Sequence, residues 1–176
     1  MPETALPAPS DAVILERAKS FCNRACFTVA LQRRRAQGVE PEDKTFLFRV
    51  EADLRFMLVA LRQIRRAAEL ATKVAGVSPD LQVAIAAFDT RLPALSRMRN
   101  VEQHMDDYVL GKGRDKTVIR GQLQVNAWDG KVFHWLDETL DVEEAERAAV
   151  DLFAVVSRSV KEWTANISIS TGLRDH

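Results

Sequence analysis

Cysteine, histidine, long apolar runs and a surplus of either charge are all scarce in this 176-residue chain, and each scarcity excludes something. Two cysteines, Cys22 and Cys26, cannot supply a disulfide framework, and with three histidines no Cys/His cluster offers a metal site. Lys plus Arg and Asp plus Glu balance at 25 each, whereas a dedicated duplex-DNA binder usually carries a basic surplus. Neutrality leaves room for an enzyme that touches a few phosphates. No apolar run reaches the length of a bilayer span, so no membrane helix is expected. Residues 1–10 hold three prolines and Glu3 but no basic stretch followed by an apolar core. They read as a disordered lead-in rather than a signal peptide, which leaves the cytoplasm as the default location. No cofactor is implied.

What remains is helical in rhythm. The length suits one domain with a sizeable core, and an apolar fraction of 47% with 28% charged residues is that of a globular protein. From Asp11 to Arg35 the residues Ile14, Ala18, Phe21, Ala25 and Val29 recur at helical spacing, with Ser10 or Asp11 as N-cap and Gly38 and Pro41 closing the segment. Cys22 and Cys26 lie one turn apart and read as small core residues beside Phe21 and Val29. Arg33, Arg34 and Arg35 fall at the C-terminal end, where the helix dipole favours positive charge. A second helix is expected from about Asp43 to Val74, on a stripe of Val50, Leu54, Met57, Leu58, Leu61 and Ala68. Ser78 caps a third that begins at Pro79 and buries Leu81, Ile85, Phe88 and Leu92. Pro93 interrupts it, so a fourth helix is expected from Pro93 to about Leu110.

Beyond Gly111-Lys112-Gly113 the period shortens to two, and Asp129-Gly130 marks the turn of a β-hairpin at 117–136. One face would carry Leu123, Val125, Ala127, Val132, His134 and Leu136, making His134 a core or interface residue. The other gathers Trp128, Phe133 and Trp135 with Arg120 and Lys131, a face that packs on a helix or partner, or else stacks single-stranded nucleic acid. The last helix covers roughly Val142–Ala165 with Ala145, Ala149, Leu152, Val156 and Val160 inward. In the tail, 167–176, Ile167 and Ile169 read as a short strand. The expected architecture is mainly α: a bundle of about five helices over 11–166 with one inserted β-hairpin.

Chemistry concentrates on the fourth helix, in Arg99-Asn100-Val101-Glu102-Gln103-His104. A guanidinium grips phosphate oxygens with a planar fork of donors, and an imidazole exchanges protons near neutrality. Ala94, Met98, Val101, Met105 and Tyr108 form the apolar stripe, while Asn100, His104 and Asp107 line its edge. Arg99 lies about 140° round an ideal helix from His104. The two meet only through Arg99's reach, a distorted helix, or a two-fold axis that brings Arg99 of one copy to His104 of another. Read structurally, His104 is a boundary residue hydrogen-bonded to Asn100 and Asp107. A metal site of His104, Asp107 and Glu102 is incomplete without a second His-bearing helix.

The pattern Arg99-Asn100-(x)3-His104 resembles the signature of the HEPN superfamily, an Arg and a polar residue followed by a His four to six positions on. The resemblance spans Leu95–Leu110. It implies a compact helical bundle, a homodimer with its site at the interface, and a metal-independent ribonuclease, as in toxins or defence effectors. His104 would then transfer protons as general acid or base, Arg99 would stabilise charge on the phosphate, and Asn100 would orient His104 or touch phosphate. Tyr108 departs from the toxin branch, which places its Tyr two residues after the His, not four. The basic loop with Lys112, Arg114 and Lys116, together with Asp107, is the expected RNA-binding edge. The alternative is a non-catalytic helical interaction protein that binds a protein partner, or itself, through the hairpin and bundle surface.

Overall fold

The computed structural model describes residues 8–38 and 45–172. Pro41, Asp43 and the greater part of the expected lead-in, residues 1–7, lie outside the described residues, as do tail residues 173–176. Among the described residues the chain forms six α-helices and a small antiparallel sheet, so the mainly helical bundle with a hairpin is the observed fold. The helices are α1 (Asp11–Gln37), α2 (Phe46–Ala71), α3 (Asp80–Arg91), α4 (Leu95–Gln103), α5 (Met105–Val109) and α6 (Val142–Gly172). No described helix is long and apolar enough to cross a membrane.

Ser10 caps α1 by accepting the Val13 N–H, and the stripe of α1 buries Leu15, Ala18, Cys22, Ala25 and Val29. Phe21 instead faces outward, 44% exposed, because Leu15 and Cys22 take the inward phase. The last carbonyls of α1 have no intrahelical donors, and Arg49 of α2 supplies them: Nη1 donates to Arg35 O at 2.8 Å and Nη2 to Gly38 O at 3.0 Å. Arg35 returns to α2 through Asp53, a buried carboxylate 3.0 Å from its Nε. The α2 stripe is buried as expected. Pro79 is the N-cap of α3 rather than its first residue, with Ser78 Oγ just ahead of it accepting the Asp80 N–H, and Leu81, Phe88 and Leu92 are buried while Ile85 is half-buried.

The hairpin differs from expectation in its first arm. Residues 118–125 form a 3-10 turn at Arg120–Gln122 rather than a strand, and β1 is only Asn126–Trp128. It pairs with β2 (Val132–Trp135) across Asp129-Gly130, with Trp128 opposite Phe133. Asp129 Oδ1 accepts the N–H groups of Lys131 and Val132, and Gly130 adopts φ 96°. A third strand, β3 (Glu138–Asp141), follows directly through Leu136 and Asp137, both at positive φ. Positive φ at both central residues is what a two-residue hairpin turn of type I′ requires.

Burial across the sheet bears out packing of the aromatic face against the bundle and overturns the inward place expected for His134. Phe133 and Trp135 are in the core, with Trp135 Nε1 donating to Leu123 O and the Arg55 guanidinium over its ring, so they are closed to stacking on nucleic acid. His134 lies on the open face beside Asp129 and is no core histidine. Two large rings outweigh an imidazole in the choice of face, since each contributes about 1.5–3 kcal/mol on burial. Asp141 Oδ1 caps α6 through the N–H groups of Glu143 and Glu144. Helix α6 then runs to Gly172, so no strand forms at Ile167 and Ile169.

Both thiols are built into helix contacts. Cys22 Sγ donates to Ile64 O of α2 at 3.5 Å, and Cys26 Sγ to Ala149 O of α6 at 3.3 Å. Burial pushes each thiol up to about 12, assisted at Cys22 by Cys26 and at Cys26 by Glu146. Iodoacetamide at pH 8 should therefore label neither cysteine in the native protein and both in guanidinium, read by intact mass.

Candidate functional site

Helix α4 is positioned by Leu95, Met98 and Val101, which bury its inner face where it packs on α2. The expected single helix to Leu110 is broken at His104 (φ −124°, ψ 33°), which ends α4 and starts α5. Asp106 and Asp107 in the first turn of α5 favour that restart. The His104 side chain is 52% exposed, with Nδ1 3.8 Å from Asp107 Oδ2. Asn100 does not reach it. Its Nδ2 donates to Tyr108 Oη at 2.9 Å, and the same hydroxyl accepts the Asp115 N–H at 3.2 Å. The carboxamide thus ties α4 to α5 and to the following loop.

Arg99 points to another neighbourhood. Its pKa is held below the ordinary guanidinium value by burial first, then by Arg66 and Arg62 of α2. Arg62 is lowered likewise, by burial and then by Arg65 and Arg66, against the smaller opposing pull of Glu69 and Asp89. No ion pair or side-chain hydrogen bond among the described residues engages Arg62, Arg66 or Arg99, and Arg99 Nε is buried without a partner. Elsewhere the fold neutralises its arginines: Arg65 with Asp89 and Glu69, Arg55 with Glu51 and Glu102, Arg91 with Glu144 and Asp151. Within one chain, Arg99 and His104 share no contact.

The loop after α5 is fastened by Arg97. Its Nε donates to Asp115 at 3.0 Å, Nη2 to Thr117 Oγ1 at 2.9 Å, and Nη1 to Leu136 O at 3.1 Å and Glu138 at 3.2 Å. Thr117, through its hydroxyl and N–H, and then Arg97 hold the Asp115 carboxyl below its usual range. On this anchored frame Lys112, Arg114 and Lys116 are exposed. The Asp107 carbonyl accepts the N–H groups of Lys112 and Gly113, so that residue shapes the loop as well as facing His104. Glu102 pairs with Arg55, away from His104. Among the described residues no group of three or more His, Cys, Asp and Glu side chains is arranged to hold a metal ion.

Arg62, Arg66, Arg97 and Tyr108 are the contributors that sequence reasoning missed as site residues. A signal existed for the first two: Arg62, Arg65 and Arg66 crowd five positions of α2 whose partners in sequence are few. Nothing in the spacing marked Arg97 as the strut of the loop.

Two outcomes test this geometry. A Cβ at Gly113 would stand 2.2 Å from the Tyr108 ring, so Gly113→Ala should cost about 1–3 kcal/mol in chemical denaturation by forcing the ring from its pocket. Arg62→Gln, by relieving like-charge repulsion with Arg65, Arg66 and Arg99 that outweighs the pull of Glu69 and Asp89, should raise the thermal midpoint by about 1–2 °C in low-salt, phosphate-free buffer.

No protein-family model matches this chain, and no curated protein or solved structure matches it either, which leaves the geometry of its own residues as the ground for a function.

Proposed function

We propose that the chain is a HEPN-like, metal-independent endoribonuclease acting as a homodimer in the cytoplasm, of the kind used as a toxin or defence effector. The observation that carries the reading is Arg99, a guanidinium with a buried, unpartnered Nε and no carboxylate to neutralise it, five residues before an exposed imidazole. A buried unpartnered donor is costly, which fits a group reserved for an anionic ligand. Because Arg99 and His104 diverge within a chain, the working pair combines Arg99 of one copy with His104 of the other. Leu47, Phe48 and Phe56, exposed on α2, supply apolar surface for such an association.

In this site a ribose 2′-oxygen attacks the adjacent phosphorus and the bond to the 5′-oxygen breaks, leaving a 2′,3′-cyclic phosphate. His104 moves the proton, from the attacking hydroxyl or to the leaving oxygen. Arg99 stabilises the charge that gathers on the non-bridging oxygens. Asn100 acts through Tyr108 as a positioning residue that holds α4 and α5 together. Lys112, Arg114 and Lys116 attract the strand electrostatically.

The second reading, a non-catalytic interaction protein, draws on the same exposed α2 residues rather than on the hairpin, whose Phe133 and Trp135 are buried.

Mixed RNA incubated with the protein in EDTA should yield cyclic-phosphate ends, and Arg99→Ala and His104→Ala should each lower the rate by about a hundredfold or more, with the melting temperature nearly unchanged for His104→Ala and not lowered for Arg99→Ala. Mixing the two inactive variants should restore activity to about a quarter of wild type, since half of randomised dimers are mixed and each keeps one intact shared site. Cleavage that survives both substitutions removes the ribonuclease reading.

A further inference from the structure

A groove of about 830 Å³ runs between α1 and α2, lined by Phe21, Arg24, Thr28, Gln63, Arg66 and Lys73 among others. Arg66 is common to this groove and to the cluster with Arg62 and Arg99, so the two basic regions are continuous. Five cations border one surface: Arg24, Lys73 and Arg66 along the groove, then Arg62 and Arg99 toward α4. The acid that lines the groove, Glu69, is 3.2 Å from Arg65. In a chain of zero net charge, with most interhelical arginines paired to carboxylates, this concentration of unpaired guanidinium is a local property rather than a consequence of composition.

The groove also holds a ring. Phe21 is 44% exposed although it sits on the first helix of the bundle, and the Arg24 guanidinium lies 5.0 Å above its centroid. A ring and a guanidinium stacked at the edge of a basic channel form a platform for a nucleobase, while the forked donors match phosphate oxygens. An acidic peptide would satisfy the cations and leave the ring without a role.

We infer that the α1–α2 groove, continued across Arg62 and Arg66 to Arg99, is the binding channel for a single-stranded RNA, with phosphates on the guanidinium groups and a base on Phe21. The inference rests on the ribonuclease reading for its choice of RNA, and it gives that reading a substrate class: an unpaired strand led along α2 to Arg99. Burial and mutual repulsion in the cluster support it, because an arriving phosphate relieves both.

Fluorescence anisotropy with a labelled 2′-O-methyl oligouridine of twelve residues tests the channel independently of cleavage, since that strand cannot cyclise. At 50 mM salt the intact protein should bind it, and Arg62→Gln/Arg66→Gln should weaken binding about tenfold or more. The slope of log affinity against log salt should fall by about 1.4 for two lost single-strand phosphate contacts. Arg62→Lys/Arg66→Lys should retain most of the affinity, Phe21→Ala should lose at least about fivefold, and Arg158→Gln on α6 should change nothing. Circular dichroism melts of each variant guard against misfolding. Unchanged binding by the folded double Gln variant overturns the inference, as does binding of poly-glutamate or inorganic triphosphate by a protein that ignores the RNA. Binding that follows these variants without any cleavage of ordinary RNA would leave the channel standing and remove the ribonuclease. Cleavage that is indifferent to them would do the reverse.

Discussion

Helix α2 is the element on which α1, α3, α4 and α6 all pack, and that crowding governs where charge may go. Val50, Asp53, Leu54, Met57, Leu58, Leu61, Ile64, Ala68 and Ala71 keep roughly half of its circumference out of water. The remaining half must carry every charged residue the helix has, apart from Asp53. Arg62 and Arg66 therefore fall one turn apart on a narrow outer strip, in the space that α4 borders with Arg99. A central helix with fewer neighbours would have spread these groups out. Here the packing itself brings like charges together.

The fold uses arginine elsewhere as a strut. Arg49 closes the end of α1, Arg97 joins the loop after α5 to the turn between β2 and β3, Arg65 ties α2 to α3, and Arg91 ties α3 to α6. Each meets carbonyls or carboxylates held by other elements, so its charge is answered within the chain. Against that practice the three guanidinium groups without a direct ion pair among the described residues, Arg62, Arg66 and Arg99, stand out as a place where stability yields to something else, the usual mark of a binding site.

Helices α1, α2, α3 and α6 were legible because long apolar stripes repeat in phase with their buried faces, as Leu54, Leu58 and Leu61 or Ala149, Leu152 and Val156 do. The hairpin turn was legible from Asp129-Gly130. Packing of the Phe133 and Trp135 face was among the expected readings, but the outward place of His134 was not, because alternation is symmetric and only the tertiary neighbours decide which side is inside. Phe21 has the spacing of a core residue, yet Leu15 and Cys22 win the same stripe by a shift of one position. At the candidate site the motif residues could be read, but not their separation: the break at His104 has no Pro or Gly to announce it, and the pairing of Asn100 with Tyr108 joins residues two turns apart through a bend. Arg62 and Arg66 meet Arg99 only through tertiary packing.

Helix α5 has five residues, far below the length at which a helix persists on its own. Its hold on the bundle passes through two side chains, the half-buried Met105 against the core and Tyr108, seated over Gly113 and bonded to Asn100 and Asp115. Such a segment opens by local unfolding at a free energy well below that of the whole domain. His104 sits at its hinge, so the position of the imidazole is an equilibrium quantity rather than a fixed coordinate, and anything that seats or unseats the chain's single tyrosine sets how long the histidine stays in place.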